Sequence, residues 1–130
     1  MIFLDANYLV SYYIKSEDHH KRALEIHQEI KGKKQIISNS IIAETVNILH
    51  TKIKAHPEDI ERIYNQIKHK YQIIEDHTLF DRTLQKVLKD KKRLPFFDNL
   101  YIVLMEELRI KEIVSFDKHF DNKENITRIQ

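Results

Sequence analysis

Two aspartates lie at or just beyond the ends of short apolar runs, a position from which a side chain at the end of a buried strand could bind a ligand. Asp5 is the only charged residue among the first fourteen, and it follows the run Met1-Ile2-Phe3-Leu4. Asp117 lies just beyond the apolar pair Ile113-Val114. In an open parallel sheet, ligands bind beyond the carboxyl ends of the strands, where the strand order reverses. The two carboxylates would therefore face each other if their strands are neighbours.

Two further acids stand alone in apolar segments with helical spacing. Glu44 is the only formally charged residue between positions 35 and 51. Asp98 is the only one between positions 94 and 105. A lone buried carboxylate is costly unless it is paired, bound to a metal or protonated. Several such placements in a short chain therefore need a common explanation.

Each acid also has an ordinary structural explanation when it is taken alone. Asp5 and Asp98 could cap helices, a role in which Asp is common. Glu44 could be a buried acid bonded to a neighbouring hydroxyl. These explanations do not account for the four acids together. Four adjacent carboxylates repel one another unless a cation neutralises them, and an all-oxygen set without cysteine favours Mg²⁺ or Mn²⁺.

Short β-like runs alternate with helical periods, which indicates a parallel sheet covered by helices on both faces. Strands are predicted over residues 1–4, 35–38, 71–74, 112–115 and 126–129. Helices are predicted from a cap at Asn7 to Lys15, from Ser16 to Gly32, from a cap at Asn39 or Ser40 to Ile53, from Pro57, from about Asp76 to Lys89, and from Pro95 to Leu108. The fold class is therefore α/β, with three α/β/α layers and about five central strands. The length of 130 residues predicts a single domain over residues 1–130.

Composition and charge exclude several classes of protein. The chain has no cysteine, which excludes disulfides, thiolate metal sites and cysteine nucleophiles. Its formal charge is +2, from 22 Lys and Arg against 20 Asp and Glu, so no overall field draws it to nucleic acid. We find no signal peptide, and no apolar run reaches the roughly 20 residues that span a bilayer. A cytoplasmic protein without membrane association is expected.

The ordered set of motifs resembles the PIN domain family over essentially the whole chain. The motifs are Ile2-Phe3-Leu4-Asp5-Ala6-Asn7, Ile42-Ala43-Glu44, Phe97-Asp98-Asn99 and Ile113-Val114-Ser115-Phe116-Asp117-Lys118-His119-Phe120-Asp121. The resemblance implies a nuclease with strand order 3-2-1-4-5 and an acidic site for one or two Mg²⁺ or Mn²⁺ ions. Such a chain is most similar to the VapC-type ribonuclease toxins of toxin–antitoxin pairs.

The resemblance also implies roles for individual residues. The catalytic, metal-binding acids would be Asp5, Glu44, Asp98 and Asp117, with Asp121 as a less constant fifth metal ligand and Asn7 and Ser115 as supporting polar residues. Asn99 is a departure, because many relatives have a small residue there, although an amide is compatible with a carboxylate-rich site. The implied reaction is in-line attack of a metal-activated water on a phosphodiester of RNA, without a covalent nucleophile.

Three other side chains could contact substrate. Lys92 and Arg93 belong to a basic cluster just before Asp98 and could guide a phosphate backbone, although a solvated helix end explains them as well. His119 could touch substrate or a metal-bound water, and a surface histidine is the alternative. The partners expected from the resemblance are RNA, a second copy of the chain and a cognate antitoxin. The aromatic first helix and the apolar stripe from Ile60 to Ile67 are candidate contact surfaces.

Two other classes of function remain open from the sequence alone. A PIN-like protein could process RNA as a stand-alone enzyme, or could bind RNA or a partner without cutting, although the intact acids argue against the second. A response-regulator-like phosphoacceptor would also be an α/β domain with acids beyond its strands. It lacks the acidic pair expected near the start of the chain and a convincing late lysine.

Overall fold

A five-stranded parallel sheet forms the centre of the computed structural model, which describes residues 1–130. Its strands are β1 Ile2–Leu4, β2 Gln35–Ser38, β3 Gln72–Ile74, β4 Glu112–Val114 and β5 Thr127–Ile129. They lie in the order β3-β2-β1-β4-β5, and every neighbouring pair is parallel. The chain therefore reverses the direction of its winding between β1 and β4. The predicted fold class and strand order are confirmed.

Six helices flank the sheet. They are α1 Ala6–Tyr13, α2 His20–Glu29, α3 Asn39–Ile48, α4 Pro57–Lys70, α5 Phe80–Leu88 and α6 Phe96–Leu108. A π-helical segment, Leu49–Ile53, continues α3, and 3₁₀ turns at His77–Leu79 and Lys118–Phe120 precede α5 and follow β4. No helix is both long enough and apolar enough to cross a membrane.

The most buried elements are those that hold the predicted acids. All three residues of β1 are fully buried, as expected for a central strand covered on both faces. Helix α6 is buried from Asn99 to Met105, because the segment is apolar on nearly every side. Both elements belong to one core of 25 buried apolar residues. Asp5 and Asp98 are therefore attached to the most buried elements of the fold.

The predicted helix starts are corrected at three places. Asp5, not Asn7, caps α1, and Ser38, not Asn39 or Ser40, caps α3. In both cases the strand runs straight into the helix, so the last residue with extended backbone becomes the cap. The second helix begins at His20 rather than Ser16, because residues 15–18 form turns and place no apolar side chain in the core.

Candidate metal centre

The ends of β1 and β4 bring Asp5 and Ser115 into direct contact. The two strands are neighbours, with Leu4 opposite Val114, and the backbone N–H of Asp5 donates to the Val114 carbonyl at 3.0 Å. The Ser115 hydroxyl donates to Oδ2 of Asp5 at 2.6 Å. The predicted adjacency of the two strands is confirmed, and it places the segment that leads to Asp117 beside Asp5.

The Ser115 hydroxyl also organises the loop after β4. Besides donating to Asp5, it accepts hydrogen bonds from the Asp117 backbone N–H at 3.0 Å and from the Asn7 amide at 3.4 Å. The side-chain oxygen Oδ1 of Asn7 in turn accepts a hydrogen bond from the Phe116 backbone N–H at 3.1 Å. Asn7 and Ser115 thus fix the position of the loop that leads to Asp117.

The first turn of α6 places Asp98 against this loop. Asp98 does not cap α6, which was its ordinary structural explanation, because Pro95 occupies the cap position. Its Oδ2 lies 2.5 Å from Nδ1 of His119, and the same nitrogen lies 3.2 Å from Oδ2 of Asp117. One ligand atom from each of these three residues lies within 4.8 Å of the other two. The structure therefore brings Asp98, Asp117 and His119 into one tight group.

Glu44 approaches from α3 and is held by a residue of α6. The Tyr101 hydroxyl donates to Oε1 of Glu44. Tyr101 is fully buried and lies three residues after Asp98, so both side chains share one face of α6. The sequence explanation in which Glu44 bonds to a hydroxyl is therefore also correct, and the bond fixes the carboxylate beside the other acids.

The electrostatics of the site favour a cation. Burial raises the pKa of Asp5 to about 7, and the negative charges of Glu44 and Asp98 add to the rise. Burial also raises the pKa of Glu44 and of Asp98, and each is raised further by the charge of Asp117. The hydrogen bond to Asp98 raises the pKa of His119. No lysine or arginine side chain bonds to these carboxylates, and oxygen donors of this kind suit Mg²⁺ or Mn²⁺.

The remaining predicted site residues lie outside the tight group. Asp121 is bound by Arg128, whose Nε and Nη2 donate to its two carboxylate oxygens at 2.6 and 3.0 Å and lower its pKa. Lys92 and Arg93 are exposed in the loop between α5 and α6, and their side chains form no hydrogen bond or ion pair. The lysine whose charge acts on Asp98 and His119 is Lys123.

Asn99 stabilises the start of α6 rather than facing the carboxylates of the site. It is buried, and its amide nitrogen donates to Oδ2 of Asp90 at 3.2 Å and to the Leu94 carbonyl at 3.4 Å. This bond lowers the pKa of Asp90, which also accepts from the backbone N–H of Leu94. Asn99, which stands where many relatives have a small residue, therefore stabilises the loop that leads into Asp98.

Sequence reasoning missed Tyr101 and a buried acid behind Glu44. Asp76 is fully buried, accepts from the Ser40 hydroxyl at 2.8 Å, and its backbone N–H donates to Asn39 at 2.8 Å. These bonds fix the first turn of α3, one turn before Glu44. Tyr101 could have been found from its spacing to Asp98 on one helix face. Asp76 has no such signal, because its partners lie 36 and 37 positions away.

Fold and site together define an α/β protein whose acids gather at the carboxyl edge of a parallel sheet. A family model described as the PIN domain matches residues 2–126. The chain belongs to the PIN domain family. This membership confirms the resemblance in the sequence and removes the response-regulator-like alternative. A search of curated proteins finds no match.

Two solved structures are similar to this fold. VapC20 from Mycobacterium tuberculosis, a sarcin-ricin loop cleaving toxin, has a TM-score of 0.75 and 15% identity, and the match covers 91% of each chain. PAE2754 from Pyrobaculum aerophilum has a TM-score of 0.68 and 18% identity, and the match covers 98% of this chain and 87% of the PAE2754 chain. At these identities the similarity establishes the fold.

Proposed function

We propose that this protein is an endoribonuclease that depends on a divalent cation, Mg²⁺ or Mn²⁺. The observation that supports this function is the arrival of acids from four separate elements at one edge of the sheet. Asp5 follows β1, Glu44 lies on α3, Asp98 lies on α6 and Asp117 follows β4. No lysine or arginine side chain is hydrogen-bonded or ion-paired to any of the four. A bound divalent ion would relieve the repulsion among them.

In the proposed site these four acids hold the ion or ions, and Asp121 is a weaker fifth position because Arg128 engages it. When bound, the metal lowers the pKa of a water molecule and offsets charge on the phosphate. Ser115 is fully buried and its hydroxyl is already bonded to Asp5, so it orients a ligand and does not attack the substrate. Tyr101 keeps the Glu44 carboxylate in place through its hydroxyl.

RNA is the proposed substrate. The family membership supports a nuclease, and VapC20, which shares the fold, is a toxin that cleaves the sarcin-ricin loop. The exposed Lys92 and Arg93 have no partner in the protein, so both remain free to contact phosphates. Lys123, whose charge acts on Asp98, is a third candidate.

We extend the proposal to the toxin of a type II toxin–antitoxin pair that works in the cytoplasm as a homodimer. The similarity of the fold to VapC20, which is a toxin, supports the toxin part of this assignment. The predicted contact stripe on α4 is partly core, since Ile63 and Ile67 are buried. Ile60 and Tyr64 instead line a groove with Val46.

An RNA cleavage assay with the purified protein tests the proposed function. We expect cleavage with Mg²⁺ or Mn²⁺, none after chelation with EDTA, and none in Asp98→Asn, because that change removes a ligand charge while keeping the shape. Asp59→Asn is the matched control, since Asp59 is a half-exposed helical acid paired only with Arg62. Cleavage that survives chelation would refute a metal-dependent mechanism. RNA binding with metal but without cleavage would favour the non-cleaving alternative.

A further inference from the structure

The side chain closest to two of the acids is a histidine. Nδ1 of His119 lies 2.5 Å from Oδ2 of Asp98 and 3.2 Å from Oδ2 of Asp117. Donors bound to one Mn²⁺ or Mg²⁺ ion at roughly 2.1 Å lie about 3 Å from each other when they are adjacent in an octahedral shell. The His119 nitrogen therefore lies close to the spacing of a neighbouring donor from each carboxylate, and all three ligand atoms lie within 4.8 Å of one another. The Nδ1–H that donates to Asp98 would lose its proton when this atom binds the ion.

The local backbone holds His119 in this place. It lies in the 3₁₀ turn Lys118–Phe120, and its backbone N–H donates to Oδ1 of Asp117 at 2.9 Å. Phe120, the next residue, is fully buried and anchors the turn in the core. The imidazole itself is 45% exposed, and its only hydrogen-bond or ion-pair partners are the two carboxylates. The ring therefore faces the acids from the solvent side, where an ion would enter.

We propose that His119 is a direct nitrogen ligand of the divalent ion bound by Asp98 and Asp117, and that this nitrogen makes the site prefer Mn²⁺ to Mg²⁺. The inference rests on the proposed function only in requiring that the acids bind a divalent ion. Mg²⁺ takes oxygen ligands and keeps several waters, whereas first-row transition metals accept imidazole nitrogen. A site of carboxylates alone has little basis for this choice, and one nitrogen donor supplies it.

Pulsed electron paramagnetic resonance of bound Mn²⁺ tests the proposal without measuring activity. A ligating imidazole couples its nitrogen nucleus to the metal electron spin, so the wild-type protein with Mn²⁺ is expected to give a nitrogen modulation. The modulation is expected to vanish in His119→Ala and in His119→Gln. His69→Ala is the matched control, because the His69 ring bonds only to the Asn65 carbonyl on α4.

Metal titrations measure the selectivity. We expect Mn²⁺ to bind His119→Ala about tenfold more weakly than wild type or worse, as for other losses at a metal site. We expect Mg²⁺ binding to change much less, so that the preference for Mn²⁺ falls. Circular dichroism of each variant checks that the fold is intact.

Three results would overturn the proposal. The first is Mn²⁺ bound to the wild-type protein without nitrogen modulation. The second is an unchanged Mn²⁺ affinity in His119→Ala. The third is tighter Mn²⁺ binding in His119→Ala, which would show that the imidazole competes with the ion. In each of these results the acids still bind metal, so the proposed function stands. A wild-type protein that binds neither Mn²⁺ nor Mg²⁺ would overturn both proposals together.

Discussion

Two aspartates in the segment after β4 are handled in opposite ways. Asp121 is neutralised by two hydrogen bonds from Arg128, and its pKa is lowered. Asp117, four positions earlier, faces Asp98 and His119 and has no lysine or arginine partner. Asp121 thus receives a permanent cation from the chain. Asp117 and the other acids of the site have no lysine or arginine partner. A cation from solution can therefore bind beside them.

Asp5→Asn is expected to cause the largest effect, because it alters the most buried acid of the open group. The rate of metal-dependent RNA cleavage should fall by at least about a hundredfold, which is the usual loss of rate when an essential electrostatic group is removed. Without metal, the free energy of unfolding at pH 8 should rise by about 1 to 3 kcal/mol, since an ionised carboxylate is no longer buried. Urea unfolding in EDTA measures this, and a variant that fails to fold would make Asp5 a structural residue.

The metal-free protein should lose stability as the pH rises. The pKa of Asp5 is about 7 in the folded protein and near 3.8 when exposed, so the folded state holds this proton more tightly. The contribution is fully present below pH 3.8 and is lost as the pH rises through 7. The raised pKa values of Glu44 and Asp98 act in the same direction.

Urea unfolding in EDTA at pH 4.5 and pH 8 checks this trend. The Asp5→Asn variant should show a smaller difference between the two conditions than wild type. Added Mn²⁺ should reverse the trend, because ionised carboxylates bind it more tightly at pH 8 and binding stabilises the folded state. A stability that rises between pH 4.5 and pH 8 in EDTA would contradict the burial of repelling acids.

Tyr101→Phe should have an intermediate effect. The change removes the hydroxyl that donates to Glu44 and keeps the ring in the core. Cleavage is expected to fall by about tenfold, as for other residues that orient a metal ligand, and stability by about 1 kcal/mol. Tyr64→Phe, at a partly exposed tyrosine in the groove, is the control. Equal activity of the two variants would show that Glu44 needs no support from α6.

Asp121→Asn should have the smallest effect. Because Arg128 already engages both oxygens of this carboxylate, Mn²⁺ affinity is expected to change by no more than about twofold, the scale of a surface ion pair. Calorimetric titration measures it beside Asp117→Asn, which should weaken binding far more. A comparable loss in both variants would mean that the ion displaces Arg128 and recruits the fifth acid.

The sequence predicted the sheet and the acids because both leave local signals. An apolar run followed by Asp, or one charge in an apolar segment, can be recognised within a few residues of Asp5 or Asp98. The caps of α1 and α3 were misplaced, since the cap is whichever residue ends the strand and this depends on sheet register. The bonds of Asp76 to Ser40 and of Arg128 to Asp121 were not predictable, because partners that meet only in the fold leave no pattern in the chain.

The capping of α1 by Asp5 makes the Ala6 amide a natural spectroscopic reporter. The same carboxylate that accepts the Ala6 N–H at 2.8 Å is proposed to bind the ion, so occupancy of the site would change the electron density at that acceptor. In a nitrogen–proton correlation spectrum, Mg²⁺ should shift the Ala6 resonance while leaving helix interiors such as α4 unmoved. The affinity could then be read from a backbone signal of the wild-type protein, without RNA.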